Sequence, residues 1–334
     1  MRISNDGYLI CLVSDLIDRL RHKVVPAVPV PFDSRGEIDG TAMLRYAQWM
    51  VSQPVGAVAV WAHTGRGLLL TESQRAQVLE TWRATLGGTP IICGVGAPGS
   101  ERIPTDSKAR TDRVMELTVS LAEQAVTGSA AGVLVYPPTA LRGLSDVDQR
   151  VVEIHRAVAE VGLPVIAFYL YRDAGGISYA IDTVHQLLDL DGVIGIKLAT
   201  LDSVMTFQDI TWEVLRHQDA LLISGEDRFL GYSLTLGAHG ALIGMAAACT
   251  DVCSALLTAW FERDLETYAE LSATVDKFAR ATFREPMDGY VQRMLWALEA
   301  DRVMPANPHD PFGPELSTDE RTVVHRAVAE LRNR

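Results

Sequence analysis

The chain has no apolar run approaching the roughly 20 residues that span a bilayer, and only four cysteines among its 334 residues. The missing run leaves no candidate membrane-spanning helix. The apolar patch in MRISNDGYLICLVSDLIDRLRHK lies between Asp6 and Asp15 and lacks a small-residue cleavage site, so it reads as an amphipathic helix and not a secretory signal. The scarce cysteines exclude a disulfide framework. Cys11 and Cys93 stand alone, while Cys249 and Cys253 are four residues apart in an alanine-rich stretch. They read as buried thiols in a reducing compartment, hence a cytoplasmic protein. The eight histidines form no HExxH or His-x-x-x-His pair, so no metal site is expected. Positive charge is short too, at 30 Lys+Arg against 42 Asp+Glu and a net charge of −12, which argues against nucleic-acid or anionic-membrane partners.

The chain does hold 48% hydrophobic residues, ample for a large core, arranged as a repeated unit. Each unit is a short β-branched apolar run, a loop bearing Gly, Pro or Thr, and a longer amphipathic stretch. The runs begin at Val24, Gly56, Pro90, Ala131, Pro164, Gly192, Ala220 and Gly240. Continuous apolar runs suit strands buried on both faces of a parallel sheet. Between them, Thr71 and Gln74 spell a capping box, and Ser145 is the expected cap of a helix carrying Val147, Val151, Ile154, Val158 and Val161. Helical periodicity without strands continues over 264–300 and 317–332.

Eight β/α units in the 240 residues from 24 to 263 fit a closed (β/α)8 TIM barrel. The domain plan is therefore a helical extension over 1–23, the barrel over 24–263 and a C-terminal helical region over 264–334. A doubly wound sheet would place a glycine-rich phosphate loop after its first strand. GVGAPG at Gly94–Gly99 has that spelling, but it follows the third run and Pro98 interrupts it.

Barrel chemistry sits at the C-terminal ends of the strands. Lysine is rare here: Lys23, Lys108, Lys197 and Lys277 stand against 26 arginines. Three lie in polar segments, whereas Lys197 ends the apolar run GVIGIK. Burial there would lower its pKa and free the amine to attack a carbonyl, which an arginine could not do.

With Tyr169 ending PVIAFY 28 residues earlier, GVIGIK resembles the dihydrodipicolinate synthase/N-acetylneuraminate lyase superfamily. VVPAVPVPFDSRGEID, WAHTGRGLLLTESQR, CGVGAPG, ISGED and LGAHGALIG are similar to further motifs of that family, in the same order, and the likeness covers about residues 24–300. The resemblance implies class I aldolase chemistry on pyruvate or another 2-oxo acid, with no cofactor. Lys197 would form the Schiff base, Tyr169 relay protons, Thr64 and Gly65 hold the substrate carboxylate, and Leu242 line the pocket through its backbone. Counted forward from Pro164, the family tyrosine falls on Phe168. Counted back from Lys197, it falls on Tyr169, which has the phenol and is preferred, with Tyr171 in reserve.

The chain also departs from the family pattern. His63 replaces the first threonine of a Thr-Thr pair, as a general acid–base or a pocket-shaping residue, and would give the pH–rate profile a limb of unassigned direction. Arg66 replaces a glutamate. After the fourth strand, Tyr136-Pro137-Pro138-Thr139 lacks a tyrosine pair, and Ala174 replaces the acceptor-binding arginine, with Arg172 nearby. These losses point away from dihydrodipicolinate synthase itself, toward a lyase or aldolase with another acceptor. A dehydratase of a 2-oxo sugar acid and a catalytically silent 2-oxo-acid-binding barrel are the alternatives. The family likeness further implies a homo-oligomer, dimer or tetramer.

Overall fold

A computed structural model describes residues 5–201 and 203–333. Residues 1–4 of the expected N-terminal extension and the Cys11 side chain lie outside the described part. Eight parallel strands form one sheet: β1 (Val24–Pro26), β2 (Val58–Val60), β3 (Ile91–Val95), β4 (Gly132–Val135), β5 (Val165–Leu170), β6 (Val193–Ala199), β7 (Leu221–Ser224) and β8 (Gly240–Ile243). Six fall inside an expected run, while β5 runs one residue past PVIAFY and β6 two residues past GVIGIK. β1 pairs with β8. The ring closes between β1 and β2 through the Ala27–Ala59 bridge and the 3.0 Å bond from the Val28 N–H to the Ala59 carbonyl. The protein is a (β/α)8 barrel.

Helix α1 (Asn5–Leu20) precedes the barrel. Its Leu16 and Leu20 join the barrel-interior cluster with Val25, Ile92 and Leu242, so the helix closes the end opposite the strand C-termini. The outer layer comprises α2 (Gly40–Met50), α3 (Glu72–Leu86), α4 (Ser107–Thr127), α5 (Val147–Ala159), α6 (Ile181–Leu188), α7 (Val204–Val214), α8 (Leu230–Thr235) and α9 (Thr250–Phe261). The Thr71–Gln74 capping box forms as expected. Asp146, not Ser145, precedes α5, and its carboxylate takes a 2.6 Å bond from Arg150 instead of capping the backbone.

After α9 come α10 (Leu265–Thr282), α11 (Tyr290–Ala300) and α12 (Thr318–Arg332), with no strand between them. The periodic stretch 264–300 is two helices. Pro286 lies between them, where its missing N–H and fixed φ stop a continuous helix. No helix among the described residues is long and apolar enough to cross a membrane. Cys93, Cys249 and Cys253 are buried free thiols.

Candidate active site

At the C-terminal mouth of the barrel lies a cavity of about 980 Å³. Lys197, Phe168, Asp227, Gly244, His63 and Thr64 reach it from strand ends and the loop after β2, and Tyr290 and Phe312 from the C-terminal region.

Lys197 is 6% exposed and is the fifth residue of a seven-residue strand. Burial lowers its pKa, opposed by the charges of Asp227 and Glu226. Its Nζ sits 4.1 Å from the Phe168 ring centroid, a cation–π contact that favours the protonated form but offers no proton. Gly225 leaves room for the lysine stem, since a Cβ there would lie 2.8 Å from Lys197 Cε. Asp227 is buried, its carboxylate pushed upward by desolvation, and its Oδ1 accepts a 2.6 Å bond from the Met245 N–H. Glu226 accepts from the Thr200 N–H, the Thr200 hydroxyl and the Leu201 N–H, yet burial still lifts it to about 8.

The other expected site residues separate into two groups. His63 and Thr64 are at the cavity, in a 3-10 turn that follows β2. His63 Nδ1 and Thr64 Oγ1 lie 2.9 and 3.1 Å from the Tyr290 hydroxyl. Burial, then the Arg66 charge, lowers the His63 pKa to about 4, so the imidazole is neutral at pH 7. Gly65 N–H is spent on the Ala62 carbonyl at 2.9 Å, closing that turn, and is not a free donor for a carboxylate. Leu242 is wholly buried in the barrel interior, and the cavity residue of this chain segment is Gly244, two positions further on.

Tyr169 needs correction. Residues alternate across a strand, and on β5 Ile166, Phe168 and Leu170 face the interior while Val165, Ala167 and Tyr169 pack toward the helices. Tyr169 is buried with its ring edge-on to Tyr179 at 5.6 Å, and Phe168 pairs with Lys197. The forward count from Pro164, which falls on Phe168, is the one the pleat of β5 bears out, and β6 beside it carries an extra residue. Val165 pairs with Val193, yet Ile166 pairs with Gly195. Ile194 consequently faces inward while Ile196 faces the helices, a bulge that no local residue pattern announces. The reserve residue Tyr171 does reach the cavity.

Arg66 adopts a left-handed conformation and is buried. It binds Asp288 Oδ1 at 2.6 Å and Asp310 Oδ2 at 2.7 Å, tying the β2 loop to the C-terminal region. Ala174 lines the cavity where an arginine was expected to be missing, and exposed Arg172 does not. The guanidinium at the cavity is Arg228, whose Nη1 donates 2.6 Å to the Phe283 carbonyl. Sequence reading missed Tyr290, Asp288 and Arg228. Only Arg228 had a signal, as the residue following ISGED.

The fold and site define a (β/α)8 barrel with a buried lysine facing the cavity at its C-terminal mouth. The sequence pattern of the dihydrodipicolinate synthetase family matches residues 21–331, and the chain belongs to that family. It is 26% identical over 316 residues to an uncharacterized DapA-like lyase of Halobacterium salinarum, covering 93% of this chain and 94% of that one. It is also 26% identical over 270 residues to a 4-hydroxy-tetrahydrodipicolinate synthase of Bartonella quintana, covering 78% and 83%. Among solved structures, N-acetylneuraminate lyase from Mycoplasma synoviae shares the fold with a TM-score of 0.75 at 19% identity, over 95% of this chain and 100% of that one.

Proposed function

We propose that the protein is a Schiff-base-forming lyase acting on pyruvate or another 2-oxo acid, with Lys197 as nucleophile. The observation that carries this reading is the Lys197 amine, buried and depressed in pKa, opening onto the barrel-mouth cavity. The neutral amine attacks the C2 carbonyl, and loss of water gives an iminium that draws electrons from C3. Thr64 is the hydroxyl donor available to the substrate carboxylate. Ala174 in place of a guanidinium supports an acceptor other than that of the synthases.

Borohydride in the presence of pyruvate should add a reduced pyruvyl mass to Lys197, and Lys197→Arg should abolish the adduct with the circular dichroism spectrum retained. Labelling of Lys23, Lys108 or Lys277 in its place refutes the assignment. Phe168, a phenyl ring beside the lysine, favours a second reading as a silent 2-oxo-acid-binding barrel. Trapping without any turnover of the pyruvate methyl group would select it. A cytoplasmic homo-oligomer, dimer or tetramer, belongs to the same proposal, and light scattering of the purified protein measures the assembly.

A further inference from the structure

The site has a lysine, a neutral imidazole and a threonine hydroxyl, but a phenyl ring where β5 meets Lys197. We infer that Tyr290, supplied by the first turn of α11, is the proton-carrying phenol of this site and works in series with His63; this rests on the Schiff-base reading above.

Three observations converge on Tyr290. Its hydroxyl is the point where two cavity side chains meet, His63 Nδ1 at 2.9 Å and Thr64 Oγ1 at 3.1 Å. Its ring lies on Phe283 at 4.6 Å and runs nearly parallel to the His63 ring, with 9° between their planes, so the phenol and imidazole are fixed relative to each other. Gly244 admits it: a Cβ there would fall 2.9 Å from Thr64 Oγ1 and 3.1 Å from Tyr290 Cε2. The chain thus leaves a gap at the end of β8 through which a residue of the C-terminal region reaches the barrel mouth. The charged and titratable groups facing the pair, among the described residues, include Arg66, Asp288, Asp227, Lys197 and Tyr136.

The pair moves one proton without leaving a phenolate. Burial raises the Tyr290 pKa, so an isolated phenolate is disfavoured, whereas His63 is neutral and carries an open lone pair on Nδ1 when its proton is on Nε2. When the Lys197 iminium loses a C3 proton, the C3–H electrons become the C2=C3 bond and the iminium pair returns to Nζ. The C3 proton passes to the Tyr290 oxygen as the phenol's own proton passes to His63 Nδ1. Positive charge leaves the iminium and ends on the imidazole. Cleavage of a 4-hydroxy-2-oxo acid uses the same path: the C4 hydroxyl proton goes to Tyr290, the C3–C4 bond breaks, and the aldehyde departs. Imidazolium then returns the proton to C3.

The test follows exchange of the pyruvate methyl protons with deuterium by NMR, alongside borohydride trapping, for the full chain. Tyr290→Phe keeps the ring that stacks on Phe283. It should be trapped on Lys197 like the wild type but exchange roughly 10²–10⁴-fold more slowly, the range for a lost general acid–base. Combining Tyr290→Phe with His63→Phe should cost no more than the worse single change, because groups in series are not additive. Trapping with unchanged exchange in Tyr290→Phe overturns the inference alone. So does loss of exchange in Tyr171→Phe with none in Tyr290→Phe, or wild-type trapping without exchange. No adduct in the wild type overturns the Schiff-base reading and this inference with it.

Discussion

At the scale of single residues, the lysine is the most legible feature, because a chain that otherwise spends arginine places this amine at the end of the apolar run GVIGIK. The phenol was not legible. Tyr169 and Phe168 are adjacent in an unbroken apolar run, and which of them faces the cavity depends on the pleat of β5, which such a run does not reveal. His63 was read as titrating in an unassigned direction, and the structure assigns it. Burial outweighs the Asp288 charge and holds the imidazole neutral until the pH nears 4. As a proton acceptor it must be neutral, so pyruvate exchange should fall as the pH drops through about 4, with circular dichroism at each pH to separate this loss from unfolding. His63→Thr should lose that acid limb. An identical limb in both proteins would move the titration to another group.

At the scale of elements, strand positions were read well because parallel strands buried on both faces are runs of apolar residues with no alternation to misread. Their ends and bulges carry no such mark. The stretch 264–300 shows the limit: its helical periodicity continues across Pro286, and only the fold reveals that α11 begins anew with Tyr290 at the cavity. Barrel chemistry is expected at strand ends, whereas Tyr290 comes from a helix beyond the barrel. The end of β8 offers a direct check. Gly244→Ala should leave the sheet intact, since the clash falls on the Thr64 and Tyr290 side chains. It should nevertheless reduce exchange by at least about tenfold through displaced relay groups, and a rate equal to wild type would show that the gap is not needed.

At the scale of the whole molecule, Arg66 ties the C-terminal region to the barrel, and a second buried arginine holds that region together internally. Arg293 is wholly buried, donating to the backbone carbonyls of Thr282, Arg284, Glu285 and Pro286 and to Glu320 Oε1 at 2.7 Å. Glu320 is opposed by burial, but hydrogen bonds from Arg293 and Arg284 still hold its carboxyl below the ordinary 4.5. With a lowered folded value, its contribution is complete above the unfolded value and fades as the pH falls through the folded one. Glu320→Gln leaves a buried guanidinium short of its counter-charge. It should cost roughly 2–3 kcal/mol at pH 7, less than a fully buried pair because Glu320 is partly exposed. Denaturant melts should show the gap between the two proteins narrowing toward pH 3, and a constant gap would mean that the carboxylate charge is not what the arginine holds.

The clamp of Arg66 on Asp288 and Asp310 has a consequence in time. Residues 63–66 leave the ribosome early, and the groups that meet them, at 288, 290 and 310, leave late. All eight strands precede residue 244, so every strand and the lysine are translated before the phenol. On the chemistry proposed above, such a nascent chain would carry the amine but not its proton-carrying partner. Chain completion then acts as the last assembly step of the site, and the order of synthesis separates capture from catalysis.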